Sequence, residues 1–410
     1  MATMLTSLSK DLHRNMDVGL SMSSSQVLEW ASLPLPVLFL VLDRLVEPID
    51  HIRFAAVCKE WCVLAKEYNH KTQRWRKLLP MLLVPTECEG KRKLYSFPAG
   101  KIYDIELPVP CNSKRYCDSS HGHGWLATMD VLDRGGLTIT LVNPFRKAVA
   151  PIRLPRLDFK VLRKYCEVCL PKIILSEDPT LNPDSYVVVA IYKHVSELAF
   201  TKGGQKFWIY SKRLRGCLLT DAIFHKSQVF AVGKWGNILS FDINSKPIEA
   251  KILNPQECPF SCYADKAYLV ESTNGDLLHV RRFLKDVDGG AYHEEFWTER
   301  FMVYKLVFNE RDGSIVQHVE IKSIGDEVMF LGDDYCISVL ASNFPGCQPN
   351  SIYYMDDCTK LGGARVPDTD SDSRPSVIGI FNLEDETITQ HYSLNISPAF
   401  WIVPLFNGLC

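Results

Sequence analysis

The chain is 410 residues long, 46% hydrophobic and 23% charged, with a formal net charge of −2. That length and balance describe a soluble globular protein with an ample core, built as two or three average domains or as one small module and one large one. A charge so close to zero supplies no attraction to nucleic acid or to an acidic membrane surface, and the basic clusters at Arg74-Arg76-Lys77, Lys91-Arg92-Lys93 and Lys212-Arg213-Arg215 read as solvated surface.

Residues 1–28 are rich in Ser and Met and are expected to form a disordered leader. Lys10, Asp11, Arg14 and Asp17 interrupt this stretch, so it does not read as a signal peptide. The longest apolar run, Leu33 to Leu42, ends at Asp43-Arg44 and falls short of the roughly 20 residues a spanning helix needs. The 14 cysteines are therefore expected to be reduced thiols in the cytoplasm, the nucleus or both.

Between Trp30 and Trp61 the pattern is helical. Val37, Leu38, Val41, Leu42 and Leu45 recur at the spacing of one helix, with Ser32 as the expected N-cap and Pro34 and Pro36 in the first turn. Glu47-Pro48 ends that run, and Asp50 is the expected cap of a second helix carrying Ile52, Phe54 and Val57. So many large apolar side chains exceed what two or three short helices can bury, which implies a partner. The order Leu33-Pro34, Val37-Leu38, Leu42, Arg44-Leu45, Asp50, Ile52-Arg53-Phe54, Val57-Cys58-Lys59 and Trp61 resembles an F-box. Pro36, Val46 and His51 depart from the family's usual residues. The resemblance implies docking on a Skp1-type adaptor and, through it, on a cullin. It assigns the adaptor interface and its supporting core to Leu33, Pro34, Val37, Leu38, Leu42, Leu45, Ile52, Val57 and Trp61. The module is expected over 29–70, followed by a helical linker over 71–94 that includes an amphipathic piece around Trp75, Leu78 and Leu79.

From about residue 95 to 405 the chain reads as short β-runs separated by Gly, Asn, Asp and Pro, among them Gly124–Met129, Leu137–Asn143, Val229–Val232, Ile238–Ile243, Ala267–Glu271 and Leu277–Phe283. Turn chemistry at Lys234–Asn237, Ser272–Asp276, Arg311–Gly313 and Glu384-Asp385 joins hairpins, and no long amphipathic helix intervenes, so the expectation is antiparallel all-β. VFAVGKWGNILSFDI returns in outline as AYLVESTNGDLLHVRRF about forty residues later, the period of propeller blades. Six or seven blades fit the length; two β-sandwiches are the alternative. The segments HGHGWLATMD, ITLVNPF, IGIFNLEDETI and, above all, Pro345-Gly346 through Asn350-Ser351-Ile352-Tyr353-Tyr354 to Asp356-Asp357 resemble the plant KIB-type, kelch-like β-propeller that commonly follows an F-box. Ile352 and Tyr354 are expected to alternate with Ser351 and Tyr353 on a half-buried strand. The fold class is thus a short helical F-box followed by an all-β propeller.

Catalytic signatures are scarce. No GxSxG, P-loop or GxGxxG occurs, His121 and His123 read as loop histidines, and Cys166/Cys169 and Cys258/Cys262 are half zinc sites at most. Cys58 and Cys62, one helical turn apart, read as packing. No catalytic residue, metal or cofactor is expected. Asp286–Glu299 reads as an acidic loop whose Tyr292, Phe296 and Trp297 are candidates for target recognition. Asp356–Pro375 reads as a second long polar loop. Together with the two resemblances, this implies a substrate-receptor subunit of an SCF-type ubiquitin ligase whose propeller holds an unidentified target protein. A scaffold acting outside the ligase, or a propeller enzyme, is the alternative.

Overall fold

The computed structural model describes residues 33–45, 47–72, 79–86, 91–97, 100–107, 116–118, 124–132, 136–146, 149–158, 172–191, 197–212, 217–253, 266–286, 296–332, 335–356, 376–394 and 400–404. The chain divides into two compact units, one containing the helices and the other the strands. The leader, the piece around Trp75 and Leu78, His121, His123 and the two cysteine pairs of zinc-like spacing lie outside the described residues.

The first unit holds three helices, α1 (Leu35–Arg44), α2 (Pro48–Ala55) and α3 (Lys59–Thr72). α1 starts later than the Ser32 cap predicted, because extended Pro34 occupies the N-cap position and Pro36 fits the first turn without losing a bond. α2 starts earlier than Asp50. Pro48 opens it behind Glu47, since a proline at the first position lacks only an amide that would be orphaned anyway. Asp50 instead sits in the first turn and receives Arg53 at 2.8 Å. Cys58 does more than pack: its Sγ accepts the Trp61 amide at 3.4 Å as α3 begins. Leu38, Leu42, Phe54, Trp61, Leu64, Ala65 and Tyr68 form one core. Within it Phe54 stacks on Trp61 at 4.3 Å between ring centres, and the Tyr68 hydroxyl donates to Asp43, tying α3 to α1.

The second unit is six sheets that follow one another along the chain and close into a ring. Sheet one pairs β1 (Met81–Pro85), β2 (Lys91–Ser96) and β3 (Lys101–Glu106) with the last strand, β26 (Phe400–Ile402). Sheet two is β4 (Tyr116–Asp118), β5 (Leu126–Leu132), β6 (Gly136–Val142), β7 (Ile152–Arg153) and β8 (Leu157–Asp158). Sheet three is β9 (Lys172–Leu175), β10 (Val187–Ile191), β11 (Leu198–Lys202) and β12 (Ile209–Tyr210). Sheet four is β13 (Leu219–His225), β14 (Gln228–Gly233), β15 (Ile238–Phe241) and β16 (Ala250–Ile252), and sheet five is β17 (Lys266–Glu271), β18 (Leu277–Asp286), β19 (Phe296–Phe308) and β20 (Ile315–Ile321). Sheet six orders β22 (Cys336–Leu340), β21 (Glu327–Leu331), β23 (Ser351–Asp356), β24 (Ser376–Asn382) and β25 (Ile388–Leu394), with β21 and β23 parallel. This is a six-bladed β-propeller. The innermost strands of blades three to five begin at Lys172, Leu219 and Lys266, a period of 47 residues.

Apolar cores fill the gaps between successive blades, so most central strands are buried on both faces. That corrects the expected alternation at residues 351–354. Ser351, Ile352, Tyr353 and Tyr354 are all buried, because β23 lies inside a five-stranded sheet with neighbours on both sides. Asn350, ahead of them, takes a left-handed conformation (φ 55°), and its carboxamide accepts the Ile324 amide at 2.8 Å. Gly236 and Gly275 supply the positive φ that the predicted turns of the β14–β15 and β17–β18 hairpins require.

The expected helical linker over 71–94 is contradicted beyond Thr72, where α3 ends: Met81–Pro85 and Lys91–Ser96 are strands of blade one. A uniform apolar run such as Met81–Val84 carries no period that separates a buried strand from a buried helix. The ring closes where β26 pairs β1 in antiparallel register, Leu82 opposite Trp401. Trp401 donates to the Leu331 carbonyl of blade six at 3.1 Å, and Phe97, Phe330 and Tyr353 pack around the same seam.

Candidate docking site on the helical module

The nine residues singled out for docking separate by exposure. Leu38, Leu42 and Trp61 are buried in the helical core, and half-buried Leu33 and Leu45 pack against it. Ile52 is half-buried, whereas Pro34, Val37 and Val57 face outward. The sequence reading missed exposed Leu35, Leu40 and Val63, and it left Val41 out of the site. On α1, Val37 (40% exposed), Leu40 (61%) and Val41 (36%) stand at i, i+3 and i+4, so they share one face opposite Leu38 and Leu42. Exposed Arg44 closes that stripe at the helix end.

The stripe is held rigid from behind. Leu38 and Leu42 anchor α1 in the core, and the hydrogen bond from Tyr68 to Asp43 fixes its last turn. The ring of buried His51 lies 5.9 Å from Tyr68, and its Nε2 is 3.1 Å from the Leu45 carbonyl just past α1. A helix offering a pre-ordered apolar stripe can bind a partner without first losing conformational freedom. The arrangement suits binding by surface burial.

In the propeller, the acidic loop expected over Asp286–Glu299 is partly strand. β18 runs to Asp286 and β19 begins at Phe296, with Asp286 opposite Phe296 and Lys285 opposite Trp297. The β-forming Phe296-Trp297-Thr298 run extends the hairpin instead of looping. Trp297 is half-buried, Thr298 receives both Nε and Nη2 of Arg282, and Tyr292 lies outside the described residues. The polar loop expected over Asp356–Pro375 lies outside the described residues except for Asp356, which ends β23.

Blade five also carries a group of ionisable side chains that no sequence motif marked. Buried His279 lies 6.3 Å from His318 and 6.2 Å from Tyr304, ring centre to ring centre. Burial, and after it the positive charge of Arg281, lowers both imidazoles, His279 to about 3 and His318 to about 4. Elsewhere Asp221 of β13 accepts Lys172 of β9 and the Leu269 amide of β17, joining three innermost strands. The second group holds three blades together, whereas the first lies within one blade. Among the described residues no group of three His, Cys, Asp or Glu side chains could hold a metal ion, and no helix is long and apolar enough to cross a membrane.

Comparison with known proteins agrees with this division. The family described as KIB1-4 beta-propeller matches residues 94–382, and the family described as F-box-like matches residues 30–79. The F-box protein At4g35733 of Arabidopsis thaliana is 27% identical over 359 residues, covering 81% of this chain and 90% of that protein. The F-box protein At2g26160 of the same plant is 24% identical over 357 residues, 81% of this chain and 97% of that protein. Among solved structures, the α-L-arabinanase of Penicillium chrysogenum is similar at a TM-score of 0.31 and 11% identity, over 77% of this chain and 98% of that one. A likeness that distant carries no argument about activity.

Proposed function

The chain belongs to the KIB1-4 β-propeller family and carries an F-box-like region ahead of the propeller, and on that premise we propose that it is the substrate-receptor subunit of an SCF-type ubiquitin ligase. The observation that carries this reading is the stripe of Val37, Leu40 and Val41, exposed on a helix whose other face is locked in a core. The stripe docks on a Skp1-like adaptor and thereby on a cullin, in the cytoplasm or the nucleus. The propeller holds a target protein, with Tyr292 and, at the start of β19, Phe296 and Trp297 as contact residues. No bond is made or broken by this chain. Its contribution is proximity, since holding the target beside a ubiquitin-charged enzyme replaces a diffusional encounter by one at high effective concentration.

The test is assembly from purified parts. The full chain, a Skp1-like adaptor and a cullin should elute together in gel filtration. The Val37→Asp/Leu40→Asp variant should elute alone while keeping its far-ultraviolet circular dichroism. A wild-type chain that stays apart from the adaptor at micromolar concentration would overturn the proposal.

A further inference from the structure

In blade five the two middle strands outrun their neighbours. Pairing of β17 with β18 stops at Arg282 and pairing of β20 with β19 stops at Val303, so Phe283–Asp286 and Phe296–Met302 continue as a two-stranded hairpin. It projects about 13 Å past the inner strand, and a ribbon of two strands is marginal without support. One face has that support from blade six. Arg282 donates to the Met355 carbonyl at 3.1 Å, lies 4.9 Å from the centre of the Tyr354 ring and reaches the Thr298 hydroxyl.

The opposite face has a different chemistry. Phe283 pairs with Arg300 and Lys285 with Trp297, and residues paired across two strands share a face. Two guanidiniums flank the Phe283 ring, Arg281 at 5.3 Å and Arg300 at 4.6 Å from its centre. Lys285 and Arg300 are exposed, Trp297 is half-buried, and neither cation forms an ion pair among the described residues. Asp286 alternates onto the face that meets blade six, and Glu299 stands in a bulge without a partner on β18. Among the described residues of the hairpin, this face therefore sets Lys285 and Arg300, backed by buried Arg281, against the single carboxylate of Glu299. The rows of Arg300 and Lys285 lie about 7 Å apart, the spacing of alternate side chains on an extended peptide.

We propose that this face of the β18–β19 hairpin takes an extended acidic segment of the target protein, with alternate carboxylates on Arg300 and Lys285 and apolar contact from Trp297. This names the chemistry of the target and rests on the substrate-receptor reading above. A guanidinium grips a carboxylate through two parallel hydrogen bonds, and a neighbouring aromatic ring anchors the apolar part of the segment.

The test is fluorescence anisotropy of the full chain with labelled decapeptides in which Ala alternates with Glu, Gln or Lys, at low ionic strength. Wild type should bind the Glu peptide about tenfold more tightly than the Gln peptide. Lys285→Gln/Arg300→Gln should abolish that preference, and Lys285→Glu/Arg300→Glu should reverse it in favour of the Lys peptide, both chains keeping the wild-type circular dichroism. Equal binding of the three peptides by wild type overturns the proposal, as does a preference that survives Lys285→Gln/Arg300→Gln. So does a preference that arises only in Asp288→Asn/Glu294→Gln/Glu295→Gln, which would mean that the hairpin's own tip occupies the face. Tighter binding of polyuridylate than of the Glu peptide, lost in Lys285→Gln/Arg300→Gln, would assign the face to nucleic acid and overturn it too. Gel filtration separates the proposal from its premise. A wild-type chain that elutes with adaptor and cullin but ignores the Glu peptide sinks only the acidic segment; one that binds the peptide but stays apart from the adaptor sinks only the receptor reading.

Discussion

Replacing Asp221 by Ala should open the propeller at its centre. The carboxylate takes Lys172 and the Ala222 amide (2.8 Å) on Oδ1 and the Leu269 amide (2.9 Å) on Oδ2. Its partners thus come from the innermost strands of three consecutive blades. The ion pair is shielded from solvent, with side chains 5% and 2% exposed for Lys172 and Asp221. Removing one member of such a pair costs about 3–5 kcal/mol, and stranded amides cost about 1–3 kcal/mol more, without simple additivity because they share one carboxylate. A total of about 4–6 kcal/mol over a unit of roughly 320 residues lowers the melting temperature by about 6–9 °C. The companion variant Lys172→Met/Asp221→Leu removes both charges and should recover more than half of the loss. Urea unfolding of the full chain, followed by near-ultraviolet circular dichroism, measures both. A loss below about 1 kcal/mol for Asp221→Ala, or a double variant as unstable as the single one, would refute the reasoning.

Trp401→Ala removes the side chain that seals blade six to blade one and should cost about 3–5 kcal/mol, whereas Trp401→Phe, which gives up chiefly the bond to the Leu331 carbonyl, should cost about 1 kcal/mol; equal urea midpoints for the two would contradict the seam. Acid should weaken the propeller through His279 and His318. Both take a proton near pH 6.5 when unfolded but resist it until about 3 and about 4 when folded, so their contribution is complete above pH 6.5 and fades as pH falls from there toward 3. The slope reaches about 1.4 kcal/mol per pH unit for His279 and is smaller for half-exposed His318. A His279→Gln chain whose urea midpoint depends on pH as steeply as that of wild type would remove His279 as the cause. Asn69 of α3 is buried with neither amide atom hydrogen-bonded, so Asn69→Leu should stabilise the helical unit by about 1 kcal/mol, read as slower amide exchange in α3; faster exchange would show that the amide is needed.

The hairpins were legible because turn and strand agree locally. Gly236 and Gly275 sit between alternating apolar runs, and β14–β15 and β17–β18 form there. Their phase was hidden. VFAVGKWGNILSFDI builds the second and third strands of its blade, whereas AYLVESTNGDLLHVRRF builds the first and second of the next, so the apparent repeat slips by one strand. Counting blades from it could not decide between six and seven. Nor could local pattern find Lys172 and Asp221, whose pairing spans 49 residues and depends on the ring closing. On α1, apolar residues lie on almost every side of the helix, so the F-box pattern located the module without separating core from surface. Burial divides them: Leu38 and Leu42 hold the helix, while Val37, Leu40 and Val41 face out.

The most direct measurement of the central claim is calorimetry of a purified Skp1-like adaptor against the full chain and against Val37→Asp/Leu40→Asp. An exposed docking stripe predicts that the wild type binds and that the variant, with its helices intact by circular dichroism, loses at least a hundredfold in affinity. Equal binding by the two chains would contradict it.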